Sequence, residues 1–177
     1  MPIEHAIWKI DDSPQDSAMK YWILQHNPKL LPVNIPHPPR VPQNRDYWHI
    51  SRYASDVDVD DVTFIWHAGI QRGIYNAAIV VSVPPHSSDA NNQIRLLMES
   101  DDPYWTDAQE RDRLRQQPTI LIEYQYPGGL VPPIVATQLV AQGFGNLPVL
   151  RMPQRGIYRL EDAVGQSLLD FVQQTRP

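Results

Sequence analysis

The chain contains no cysteine in 177 residues. That absence excludes disulfides, Cys-ligated zinc, iron–sulfur clusters and thiolate nucleophiles together. Long apolar runs are missing too, and the N-terminus Met1-Pro2-Ile3-Glu4-His5 has no basic leader. Neither a membrane span nor a secretory signal is therefore expected, and the chain reads as cytoplasmic. Phosphate loops, dinucleotide glycine fingerprints and nucleophile elbows are absent as well. The six histidines, His5, His26, His37, His49, His67 and His86, show neither His-x-x-x-His spacing nor a companion Pro-Cys-x-x-Cys. Zinc hydrolase and zinc deaminase chemistry is thus unsupported, and neither metal nor cofactor is expected. A net charge of −5 and a pI near 5.6 argue against a generally basic nucleic-acid binder. They leave room for a small basic face on an acidic body.

What is present fits one globular domain, since 42% of the residues are hydrophobic and the length supports a single core. Residues 1–18 read as an N-terminal extension, with Ala6–Ile10 as an edge strand before a polar linker. Residues 19–177 read as the domain. Strands are expected at about Lys20–Gln25, Val62–Trp66, Gly73–Val83 and Thr119–Gln125, with a return at Pro132–Val135 after the Gly128-Gly129 turn. Asp46–Tyr53 reads as a short strand or a turn into a helical piece. The prolines at 32, 36, 38, 39 and 42 favour an extended surface loop. A helix is expected from a cap at Asp101 or Asp102, with Pro103 in its first turn, to Leu114. A short helix fits Thr137–Ala141. Leu160, Val164, Leu168 and Phe171-Val172 recur at helical spacing, with Glu161 and Asp162 in the first turn.

Two aromatic stretches stand out. One is Tyr21-Trp22-Ile23-Leu24-Gln25-His26-Asn27-Pro28. The other is Val62-Thr63-Phe64-Ile65-Trp66-His67-Ala68-Gly69, continuing through Gln71-Arg72 into Gly73-Ile74-Tyr75. Each is strand-like and ends in polar residues or glycine, an arrangement that suits a flat ligand such as a nucleobase. If the second strand is regular, His67 points away from the face that carries Trp66.

These stretches resemble EVE domains of the PUA-like superfamily. Tyr21-Trp22-Ile23-Leu24 followed by Pro28 is similar to the start of such domains. Phe64-Ile65-Trp66 with Gly69 and Gly73-Ile74-Tyr75 is similar to their middle. Asp102-Pro103-Tyr104-Trp105, Ile120-Leu121-Ile122, Pro133-Ile134 and Leu150–Gln154 extend the resemblance over about 19–172. It implies an α+β fold: a PUA-like curved mixed sheet closing into a small barrel, flanked by short helices. It also implies an aromatic pocket that accepts a base swung out of its strand. The base-pocket candidates are Trp22, Asn27, Trp48, Trp66, Gly69 and Gly73. Stacking in such a pocket contributes roughly 1–3 kcal/mol per base. Phosphate candidates are Arg52, in an Arg-Tyr pair, and Arg151 with Gln154, in an Arg-x-x-Gln pattern, joined by Arg155. The loop Gln154-Arg155-Gly156-Ile157 is one residue longer before its glycine than the family pattern, which adds a positive charge.

Each candidate also has a plain alternative. A tryptophan is often core, Asn27 can be a turn residue before proline, and Arg52 can pair with Asp56 or Asp58. The leading expectation is a non-enzymatic module that binds methylated or hydroxymethylated bases in DNA or RNA. Any nuclease or helicase acting with it belongs to a separate chain. The rivals are a protein-interaction module with a closed pocket, binding through the Pro-rich loop, and an enzyme acting on nucleotides.

Overall fold

The computed structural model describes residues 18–29, 44–153 and 156–175. The N-terminal extension, the Pro-rich segment, Gln154 and Arg155 lie outside the described residues. Among the described residues seven strands form one mixed sheet: β1 Tyr21–His26, β2 Arg45–His49, β3 Val62–His67, β4 Gly73–Ser82, β5 Thr119–Tyr124, β6 Ile134–Val135 and β7 Ile157–Leu160. The order is β2-β5-β4-β3-β1-β7, with β6 added to the start of β4. β1 and β3 are parallel, and the other neighbours are antiparallel. Among the described residues β2 and β7 are open edges that do not pair with each other, so the sheet is not closed into the expected barrel. The mixed α+β architecture is as expected.

The α-helices among the described residues are α1 Ser88–Asp101, α2 Ala108–Arg115, α3 Ala136–Ala141, α4 Pro148–Arg151 and α5 Asp162–Gln174. The expected continuous helix from Asp102 to Leu114 is broken. Asp102–Tyr104 is a 3-10 turn, and α2 starts only where Asp107 accepts from the backbone N–H of Gln109 and Glu110. Asp101 makes no capping bond with its side chain, whereas Asp107 satisfies a pair of orphan N–H groups, so the α-helix begins there. α1 was not foreseen. Its signature is nonetheless present in the sequence: Ser87 caps the N–H of Ala90, and Ala90, Ile94 and Leu97 recur on the buried side.

The sheet has a core on each face. One joins Tyr21, Ile23, Phe64, Trp66 and Ile74 to α3, α4 and α5. The other joins Trp22, Leu24, Ile65, Ile120 and Ile122 to the turn containing Ile50 and Val57. Strand alternation alone produces this division, since successive side chains take opposite faces. Gly165 lets α5 lie close on β1. A Cβ there would stand 2.1 Å from Tyr21 Cγ, while the Tyr21 hydroxyl donates to Gln166 Oε1 at 2.6 Å. Glycine inside a helix costs about 1 kcal/mol relative to alanine, so close packing against Tyr21 decides this position.

Candidate functional site

The pairing directions sort the connections between two ends of the sheet. β1, β3 and β5 finish at one end, where β2, β4 and β7 begin. This end, called here the His67 end, holds Asn27–Lys29, the turn 68–72, the loop 125–133 and the loop after α4. The opposite Val62 end holds the loop 50–61, the helical connection 83–118 and the start of α5.

This sorting separates the sequence candidates. Asn27, Trp66, Gly69, Gly73 and Arg151 belong to the His67 end. Trp22, Trp48 and Arg52 belong to the Val62 end. Trp22 is fully buried, and its indole N–H donates to Asp61 Oδ2 at 2.8 Å. Tyr53 packs at 5.2 Å from the Trp22 ring, and the Arg159 guanidinium lies 5.3 Å from it. Trp66 is 2% exposed in the core on the other face. The structure therefore does not bring Trp22 and Trp66 into one wall, because they stand on opposite faces of the same sheet. Trp48 is partly buried against the Trp22 core. Arg52 is exposed; the anticipated pairing with Asp58 is instead made by Lys20, at 2.5 Å.

Asn27 is exposed, and its Oδ1 accepts from the backbone N–H of Lys29 at 3.0 Å, the turn role that was its plain alternative. Gly73 serves strand pairing, since a Cβ there would lie 2.3 Å from the Ile134 carbonyl oxygen. Gly69 adopts φ +124°, which an L side chain rarely adopts, and its missing side chain faces the ring of Pro28 at 3.9 Å.

An open cleft of about 560 Å³ lies at this end, lined by Pro28, His67, Ala68, Gly69, Ile70, Gln71 and Tyr75. A β-bulge builds its aromatic wall. Asn76 pairs with Ile65 and Ile74 with Trp66, so Tyr75 is the extra residue. Its ring meets His67 edge-on at 4.9 Å, and its hydroxyl donates to the Gln71 carbonyl at 2.9 Å. The His26 ring lies 5.5 Å from that of His67. Burial pushes His67 below the usual imidazole range, so the ring is neutral at neutral pH. Its Nε2 is buried with no hydrogen-bond partner among the described residues. A neutral imidazole beside an aromatic ring offers a stacking surface to a flat ligand. Strand alternation placed His67 opposite Trp66, and it is His67 that lines the cleft. Tyr75 was missed as a site residue because a bulge cannot be read from apolar alternation.

The charge pattern follows the same division. No Asp or Glu occurs at 17–45, 62–88 or 124–160, although the chain has 20 of them. Those stretches contain every described connection at the His67 end. There Lys29, Arg72 and Arg151 are exposed and make no ion pair among the described residues. The nearest acids by register are neutralised or buried: Glu123 pairs with Arg45 at 3.0 Å, and Asp46 accepts from the Tyr124 hydroxyl at 2.7 Å. The loop after Arg151 is tied to β1. Gln25 donates to the Pro153 carbonyl at 2.7 Å, and the Tyr158 hydroxyl donates to the Met152 carbonyl. Gaps in the acid pattern were the available sequence signal for this end.

Among the described residues no cluster of His, Asp and Glu could hold a metal ion, and no helix is long and apolar enough to cross a membrane. No family model and no curated protein matches the chain. Solved structures do match. A hypothetical protein from Leishmania major aligns over 90% of this chain and 98% of its own, at 14% identity and a TM-score of 0.56. Human THYN1 in complex with DNA containing 5-methylcytosine aligns over 89% and 99%, at 11% identity and a TM-score of 0.52. The DUF55 domain of human thymocyte nuclear protein 1 aligns over 87% and 96%, at 13% identity and a TM-score of 0.51. The chain shares its fold with these solved structures, the DUF55 domain of thymocyte nuclear protein 1 among them.

Proposed function

We propose that this protein is a non-enzymatic module that binds methylated or hydroxymethylated bases in DNA or RNA. The base is flipped out of its strand into the cleft walled by His67 and Tyr75. The observation that carries this reading is the coincidence of that cleft with the acid-free end of an acidic protein. A cavity of about 560 Å³ falls within the range of roughly 300–1,000 Å³ typical of small-ligand sites. The His67 and Tyr75 rings, which line the cleft and meet edge-on at 4.9 Å, supply stacking. Lys29, Arg72 and Arg151 supply phosphate contacts, which dominate affinity and make it salt-dependent. A human protein of the same fold has been captured on DNA containing 5-methylcytosine, which supports the modified-base reading. An added methyl group brings about 0.8 kcal/mol on burial, the source of discrimination. The protein acts in the cytoplasm, and any cutting or unwinding is done by a separate nuclease or helicase.

The test is fluorescence anisotropy with labelled single-stranded oligonucleotides at fixed low salt. The panel contains cytosine, 5-methylcytosine, 5-hydroxymethylcytosine and N6-methyladenine. Selective binding of one modified oligonucleotide is expected. Tyr75→Ala should weaken it about 10-fold, within the range of one lost stacking partner. Equal affinity of the folded protein for all four oligonucleotides would overturn the reading.

A further inference from the structure

Ile70 stands at the tip of the β3–β4 turn, and the residue is 105% exposed, against 78% for the next most exposed large apolar residue described, Val131. Single exposed apolar residues are ordinary on a protein surface. This one differs in its surroundings: it forms part of the cleft wall, follows Gly69 and lies two residues before Arg72. Its mounting is held at several points. The N–H of Ala68 donates to the His26 carbonyl at 3.2 Å, and the Tyr75 hydroxyl holds the Gln71 carbonyl. The N–H of Ala136 donates to the Arg72 carbonyl at 2.9 Å.

We propose that Ile70 is a wedge that enters a DNA duplex and fills the gap left when a base is extruded into the adjacent cleft. The inference rests on the base-reader reading and adds the double-stranded substrate and the residue that opens it. Proteins that unstack a base step do so with an apolar side chain, isoleucine among those used. A β-branched side chain on a tied turn loses little freedom on insertion. Because wedge and cleft share one turn, the gap and the extruded base arise at the same nucleotide position. Arg72 then faces the flanking phosphates, where a duplex is most negative. A single strand has no partner strand and no stack to hold apart, so the wedge contributes only on a duplex.

The experiment measures anisotropy of wild type and Ile70→Ala with two probes: a single-stranded oligonucleotide carrying one modified base, and the same strand annealed to its complement. A 2-aminopurine beside the modified base reports unstacking. Because Ile70 also lines the cleft, Ile70→Ala should weaken both probes, but it should lower duplex affinity at least about 10-fold more than single-strand affinity. Wild type should raise 2-aminopurine emission in the duplex, and the variant should not. Wild-type duplex affinity in Ile70→Ala, or an equal loss on both probes, overturns the wedge alone. A wild-type protein that binds modified and unmodified single strands alike overturns the base-reader reading, and the wedge with it. Thermal melting of both proteins confirms that this exposed substitution leaves the fold intact.

Discussion

At the Val62 end of the sheet, acids are many and mostly engaged. Asp61 is 2% exposed and accepts from the Trp22 indole and from the backbone N–H of Lys20 and Asp58. Lys20 binds Asp58, and Asp102 takes Arg115 at 2.8 Å. At the His67 end the connections carry no acid, their described cations make no ion pair among the described residues, and a cleft opens beside the β3–β4 turn. The same strands thus run from a closed end to an open one. Trp22 and Trp66 consolidate the two cores, whereas the open end is marked by missing acid, a positive-φ glycine and a bulge.

The comparison breaks most severely with Trp66→Ala. This substitution should destabilise the fold by about 3–5 kcal/mol, because it hollows a buried site beside β4. Denaturant unfolding should show the loss as a lower midpoint. A variant that keeps full stability would remove Trp66 from the core.

A smaller effect is expected from Asp61→Asn at the closed end. The amide nitrogen cannot accept, so at least one of three donors loses its partner, at a cost of about 1–3 kcal/mol. Burial also raises the Asp61 carboxyl above the usual carboxylate range. The native carboxyl therefore opposes folding increasingly as pH rises through its folded pKa. Replacing it should flatten that component of a stability-against-pH profile. Oligonucleotide affinity, measured where both proteins are fully folded, should not change.

The smallest structural perturbation sharpens the comparison most. Arg72→Glu and Arg52→Glu are both charge reversals at exposed residues, one at each end. Each should change stability by no more than about 0.5 kcal/mol. Arg72→Glu should weaken oligonucleotide binding about 10-fold and reduce the salt slope by about 1, the signature of a lost phosphate contact. Arg52→Glu should leave both unchanged. Equal effects of the two would erase the distinction between the ends.

Much of the scaffold was legible. Apolar runs bounded by proline, glycine and acids marked β1, β3, β4 and β5 within a residue or two. The closing helix was legible from its periodicity, although Leu160, counted in that helix, instead ends β7. α1 was missed because the Pro84-Pro85 break and a polar run hid its apolar spacing. For the site, Gly69 was legible as the glycine that ends a strand-like run, and its positive φ came with the structure. The sequence could not assign Trp22 and Trp66 to shared or opposite walls. That depended on β1 and β3 lying parallel in one register, with Gln25 opposite Trp66.

By itself, the sequence determined the strands, the acid-free segments and the exclusion of thiol chemistry, since these depend on local residue pattern and composition. Only the tertiary structure decided that the acid-free connections converge on one end, that the sheet stays open at β2 and β7, and that a bulge sets Tyr75 against His67. The physical reason is that strand direction and register are settled by pairing between segments distant in the chain, and no local pattern encodes which ends will meet.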